Sequence, residues 1–189
     1  IQTPLDLSDT QRKLVEGAHE ILGREKLFIR GRSFGMDCSG IVLSLYWYAG
    51  IDLTKAYNDY SGNGVTRIYR YLEDKDLLYR TLGPAPGDII FWDNTYDKNE
   101  DGKPNDLLTH VGMVVDIDTN GNIDYIHHNY RKGIVLARMN LNNPDTYAET
   151  VNGEQIIVNS AMRMKGSPGF DKWLSSQLYR QFGMGYLLE

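Results

Sequence analysis

The stretch Met36-Asp37-Cys38-Ser39-Gly40-Ile41-Val42-Leu43-Ser44-Leu45-Tyr46-Trp47-Tyr48-Ala49-Gly50 holds the only cysteine of the chain. It reads as a loop that becomes a helix at Cys38. Ile41, Val42, Leu45, Tyr48 and Ala49 share one helical face, and Gly50 stops the helix. A helix N-terminus presents unpaired N–H groups and partial positive charge. Both favour a thiolate, the nucleophilic form of cysteine. The same N–H groups can hold the oxyanion formed when a thiolate attacks an amide carbonyl. Position alone leaves two readings open: Cys38 as nucleophile, or Cys38 as a small buried residue anchoring the helix, as free cysteines commonly are.

Upstream, Ser8 and Gln11 have the spacing of a capping box. Leu14, Val15, Ala18, Ile21 and Leu22 form the apolar face of a first helix, which Gly23 ends. Downstream, residues 52–83 read as a polar, tyrosine-rich connection with a short helix near Val65–Leu72. Then the period changes. Pro86-Gly87 is a turn into a buried strand, Asp88–Trp92, and His110–Asp116 is a second strand. Asn120-Gly121 signals a hairpin, with Ile123–Tyr130 as the returning strand and Gly133–Met139 as a further one. Helices followed by an antiparallel meander predict an α+β fold. In the tail, Ile156–Val158 reads as a strand and Phe170–Phe182 as a short amphipathic helix. A length of 189 residues predicts one domain over 1–189.

A thiol nucleophile needs a base, and the base needs an orienting group. Of the four histidines, His19 falls just beyond the apolar face of the first helix and reads as a surface residue. His110 opens a strand, and Gly112 leaves room on its face. A two-residue turn at Asn120-Gly121 sets Val114 opposite His127. Alternation then places His110, Val114, His127 and Asn129 on one sheet face and His128 on the other. The parity leaves His127 and Asn129 both open as the orienting residue, and a bulge would reverse it.

A net charge of -5 lacks the basic excess that nucleic-acid binding requires. No apolar run is long enough to span a bilayer. A lone cysteine allows no internal disulfide, so disulfides do not report the compartment. The chain opens on Ile1 without an export signal of its own, which predicts a segment upstream.

Four segments in order, Asp37-Cys38-Ser39-Gly40, Pro86-Gly87-Asp88-Ile89-Ile90-Phe91-Trp92, His110-Val111-Gly112 and Ile126-His127, resemble the NlpC-type cell-wall cysteine peptidases, a papain-like family. The resemblance covers about residues 10–140 and leaves the extension 141–189 without a role. It implies a papain-like fold in which the nucleophile, at a helix N-terminus, packs on the antiparallel meander. It implies Cys38 as nucleophile, His110 as base and His127 as the orienting residue, with Asp37 and Ser39 lining the substrate site. The implied reaction is hydrolysis of an amide next to D-glutamate in peptidoglycan stem peptides, through a thioester. No cofactor is required, and export to the periplasm or cell surface is expected.

Two stretches depart from the family pattern. Phe28, in Leu27-Phe28-Ile29-Arg30-Gly31-Arg32, stands where a tyrosine is usual, and Arg32 where a second glycine is usual. This keeps alive an amidase or another amide hydrolase on the same scaffold. A non-catalytic wall-binding module is the remaining alternative. Arg30 and Arg32 could meet a substrate carboxylate or stand as solvated loop residues. The second departure is an insertion between Trp92 and Thr109. There Asp97, Asn99 and Asp101 followed by Gly102 match the first half of a calcium loop, with Asp106 as a further oxygen. Leu108 stands where such a loop has its bidentate glutamate, so a structural calcium and a polar turn are both open.

Overall fold

A computed structural model describes residues 6–188. Helix α1 spans Asp9–Ile21, and its capping box forms as the sequence predicts: Gln11 N–H donates to Ser8 Oγ at 3.1 Å, and Ser8 N–H to Gln11 Oε1 at 2.9 Å. A hairpin follows, β1 Leu27–Ile29 and β2 Arg32–Phe34. Arg30 and Gly31 both take positive φ, 47° and 79°, at its tip, as a primed two-residue turn requires. Helix α2 runs Cys38–Tyr48, and Gly50 just beyond it has φ 93°. The connection that follows holds a 3-10 helix, Leu53–Asp59, and helix α3, Gly64–Asp74.

The remaining elements are mostly strands: β3 Leu78–Tyr79, β4 Ile89–Trp92, β5 His110–Ile117, β6 Ile123–Asn129, β7 Gly133–Met139, β8 Ala148–Val151, β9 Glu154–Ile157, helix α4 Ser175–Leu178 and β10 Tyr179–Gly183. One antiparallel sheet has the order β3-β10-β4-β5-β6-β7, and β8 and β9 form a separate hairpin. The fold is α+β, as expected.

Alternation along the strands gives the sheet two buried faces. Ile89, Phe91, Val111, Met113 and Ile126 pack against α1, α2 and α3. Ile90, Trp92, Val114, Tyr125 and Phe182 form a second core. The tail closes that second face: the Trp92 indole N–H donates to the Ser175 carbonyl at 2.9 Å, and Leu178 and Phe182 join the cluster. The helix expected over Phe170–Phe182 is reduced to Ser175–Leu178. Tyr179–Gly183 is a strand inserted between β3 and β4.

The Pro86-Gly87-Asp88 turn is bolted to the helical layer. Gly87 has φ 92°; its carbonyl accepts from Tyr46 Oη at 2.7 Å, and the Pro86 carbonyl accepts from Gln11 Nε2 at 3.0 Å. The Asp88 carboxylate accepts from the Tyr79 hydroxyl and from Ala85 N–H. Burial pushes its pKa up to about 6 against the pull of those donors.

Strand register differs from the two-residue-turn expectation. Val114 pairs with Tyr125, not His127. The turn spans three residues, Thr119, Asn120 and Gly121, with Asp118 N–H donating to the Asn122 carbonyl at 3.1 Å and Gly121 at φ 82°. That shifts the pairing by one residue, and a second one-residue shift between Val114 and Asp116 reverses the parity again. The two slips add to two residues, which restores the parity, so His110, Val114, His127 and Asn129 still share a face.

Candidate active site

Cys38 is the first residue of α2. The Asp37 side chain caps the helix, with Oδ1 accepting from Gly40 N–H at 2.7 Å. Ser39 Oγ donates to the same oxygen at 3.1 Å. Asp37, Cys38 and Ser39 line a cleft of about 980 Å3 that also takes in His110, His127, His128 and Asn129. A smaller hollow of about 420 Å3, lined by residues including Arg80, Leu141 and Tyr179, contains no cysteine or histidine.

The imidazoles lie on the sheet face away from α2, at the end of the strands. His110 Nε2 and His127 Nδ1 are 2.9 Å apart. The rings stand nearly perpendicular, 87°, with centroids 5.2 Å apart, and they abut Trp92 and Tyr125. Gly112 makes this possible: a Cβ there would lie 2.8 Å from the Ile126 carbonyl and 3.3 Å from His127 Cβ. Asn129 is used elsewhere, its Oδ1 accepting from Arg131 and Lys132 N–H in the β6–β7 turn at 2.9 and 3.1 Å. With Nε2 of His110 facing His127, Nδ1 is the ring nitrogen left for the thiol. For Nδ1 to accept a proton, Nε2 must carry one and donate it to His127 Nδ1.

Charge at this site departs from the expectation drawn for a helix end. Burial pushes the Cys38 thiol up. The Val111 N–H pulls it down, the Asp37 charge raises it further, and the N–H groups of Ser39 and Cys38 lower it; the sum is upward. Desolvation thus outweighs the helix-end amides. Burial also holds His110 well below its ordinary value, with the charges of His127 and His128 adding to it. His127 is lowered to about 4 by burial, then by His128. At rest the cleft holds a neutral thiol and a neutral imidazole. Alkylation of Cys38 by iodoacetamide is therefore expected to keep rising with pH through the ordinary thiol value of 9.0. A plateau already reached at neutral pH would contradict this charge state.

Of the other sequence candidates, Asp97 lines the cleft and the rest lie outside it. His19 is exposed on α1. Phe28 is 63% exposed on the β1–β2 hairpin and, like Arg30 and Arg32, is not among the cleft residues. Arg32 is engaged with Asp52 at 3.2 Å and Thr54 Oγ1 at 3.0 Å, and Arg30 lies over the Tyr48 ring. In the insertion, Asp97 accepts from Asp101 and Gly102 N–H, Asn99 Oδ1 from Asp101 N–H, and Asp101 from Lys103 N–H and Asn105 Nδ2. The loop's own donors thus engage Asp97, Asn99 and Asp101, while Asp106 Oδ2 is buried with no hydrogen-bond partner. Among the described residues, no cluster of three or more His, Cys, Asp or Glu side chains is placed to hold a metal. Turnover is expected to survive EDTA unchanged; a loss restored by calcium would assign the loop an ion.

Several cleft residues carry no signal in the sequence. Asn63, Gly64 and Val65 come from the start of α3, and Tyr96 from the insertion. Tyr130, Arg131 and Lys132 come from the β6–β7 turn, and Ala161, Met162, Arg163, Met164 and Ser167 from the tail. Gly64 sits against Ser39: a Cβ there would lie 2.5 Å from Ser39 Oγ.

A cysteine at a helix N-terminus, set against an antiparallel sheet whose strands carry paired histidines, defines a papain-like α+β fold. The chain belongs to the NlpC/P60 family, whose family model matches residues 23–152. No curated protein and no solved structure gives a significant match. The family consists generally of hydrolases that act on the cell wall, often outside the cytoplasm, so the chain is read as a cell-wall peptidase or amidase with peptidoglycan as substrate. No helix among the described residues is long and apolar enough to cross a membrane.

Proposed function

We propose that the protein is a cysteine endopeptidase that hydrolyses an amide next to D-glutamate in peptidoglycan stem peptides, working outside the cytoplasm. The observation that carries this reading is the meeting of Cys38, His110 and His127 in one cleft, with the imidazoles 2.9 Å apart. The working unit is taken as residues 1–189, because β10 from the extension pairs with both β3 and β4.

In this reading His110 Nδ1 takes the Cys38 proton as Sγ bonds to the carbonyl carbon. The imidazolium keeps its Nε2–H on His127 Nδ1, so His127 orients the base through both stages. The N–H groups at the start of α2 face the developing oxyanion. Collapse breaks the C–N bond, His110 returns the proton to the leaving amine, and a thioester remains on Cys38. Water then gives a proton to His110, attacks the thioester and releases the acid and the thiol. Asp37 and Ser39 line the substrate side. No cofactor takes part.

Acid quenching during turnover of a muropeptide, followed by mass spectrometry of the Cys38-containing peptide, tests the proposal. The expected adduct is a peptide acyl group ending in D-glutamate. An adduct on the lactyl group of the sugar would instead assign an amidase. Product formation with Cys38 unmodified at every quench time would sink the covalent route.

A further inference from the structure

One wall of the cleft is built from parts of the chain outside the core motifs. The insertion between β4 and β5 and the tail segment 161–170 pack directly on each other: a Cβ at Gly169 would lie only 2.2 Å from the Gly102 carbonyl oxygen. Arg163 stands in this wall and lines the cleft with Cys38. It lies beyond residues 23–152, the matched segment, so it is a feature of this chain's own extension.

The Arg163 side chain is held in place without being neutralised. Nη1 donates to the Asn94 carbonyl at 2.8 Å, and Cζ lies 3.4 Å from the centroid of the Phe170 ring. Nε is buried and has no hydrogen-bond partner. Asp97 and Asp106 lie near enough to favour the cation, yet neither forms an ion pair with it, and burial outweighs them. Nε is closed off from a ligand, so the donors left for one are the second N–H of Nη1 and those of Nη2, for which a partner of matching shape is needed. A planar guanidinium matches a carboxylate best, through paired N–H···O bonds.

We infer that Arg163 is a specificity residue that reads the free α-carboxylate of the D-glutamate residue at the scissile amide. This rests on the endopeptidase reading above and names its substrate more closely: stem peptides whose D-glutamate is unamidated. Arg30 and Arg32, which the sequence offered for a carboxylate, are outside the cleft.

The test uses two stem peptides that differ only in whether that carboxylate is free or amidated, with the full chain as enzyme. The wild type is expected to cut the free acid with at least tenfold higher kcat/KM, the size expected of a charge-assisted pair. Arg163→Gln is expected to erase most of that preference, through KM for the free acid, with a smaller loss on the amidated peptide. Arg163→Lys is expected to retain part of it. An equal loss on both peptides would mark Arg163 as a structural residue and overturn the inference, as would an undiminished preference in Arg163→Gln or the absence of any preference in the wild type. If the wild type cuts neither peptide, the endopeptidase reading fails and the inference falls with it. If it cuts both equally, the endopeptidase reading stands and the inference alone falls.

Discussion

Cys38→Ala is expected to lower kcat/KM on a stem peptide by at least ~10^3-fold, the loss typical when the nucleophile of a covalent mechanism is removed. His110 and the α2 amides would remain, so a small residual rate through direct attack by water is compatible with the reading. The fold should hardly notice. Cys38 is only partly buried and its thiol makes no disulfide, so the change in unfolding free energy should stay within about 1 kcal/mol. Urea denaturation beside the kinetic assay separates the two effects. Unchanged turnover in a folded Cys38→Ala protein would remove the thiol from the mechanism.

Gly40→Ala is expected to be the most damaging small substitution near the site. A Cβ at Gly40 would lie 1.8 Å from the Gly35 carbonyl oxygen and 2.8 Å from its carbon. Both atoms are backbone, so no side chain can swing away. Either the first turn of α2 or the loop before it must move, and both position Cys38. The Gly40 N–H is also the donor that the Asp37 cap holds at 2.7 Å. Overpacking of this kind costs about 1–3 kcal/mol or more, and a nucleophile displaced by about 1 Å loses on the order of 10^2-fold in rate. Denaturation midpoint and kcat/KM should fall together. Wild-type stability in Gly40→Ala would show that the Gly35–Gly40 approach is looser than this geometry.

The parts of the fold written in local signals are legible in the sequence. Ser8 and Gln11 announce α1, the loop-to-helix change at Cys38 and Gly50 bracket α2, and Gly133–Met139 is found as a strand where expected. The tail is not legible, for a physical reason. Phe170, Leu174, Leu178 and Phe182 recur every four residues, a spacing that suits a helix and also falls on one face of a strand. The gap between β3 and β4 decides the matter: Tyr179–Gly183 completes the sheet there, and sheet pairing outweighs local propensity. The β1–β2 hairpin is missed because each strand has three residues, too few to show a period.

Residue pairing at the site was readable only in part. The parity placing His110 with His127 survives because the three-residue turn and the shift after Val114 together move the register by two residues. Asn129 and His127 are equivalent by parity; the 2.9 Å contact of His127 with His110, and the turn in which Asn129 holds Arg131 and Lys132 N–H, distinguish them. The charge state could not come from sequence, since it depends on how deeply Cys38 and His110 are desolvated. Arg163 carried no motif; its place in the cleft comes from the tail folding back over the sheet.

The endopeptidase claim is tested most directly by digesting purified peptidoglycan and short stem peptides with the wild type and with Cys38→Ala, then reading the products by mass spectrometry. The account predicts new fragments ending at D-glutamate from the wild type alone. Release of an intact stem peptide would contradict it in favour of an amidase, and equal fragments from both proteins would contradict the role of Cys38.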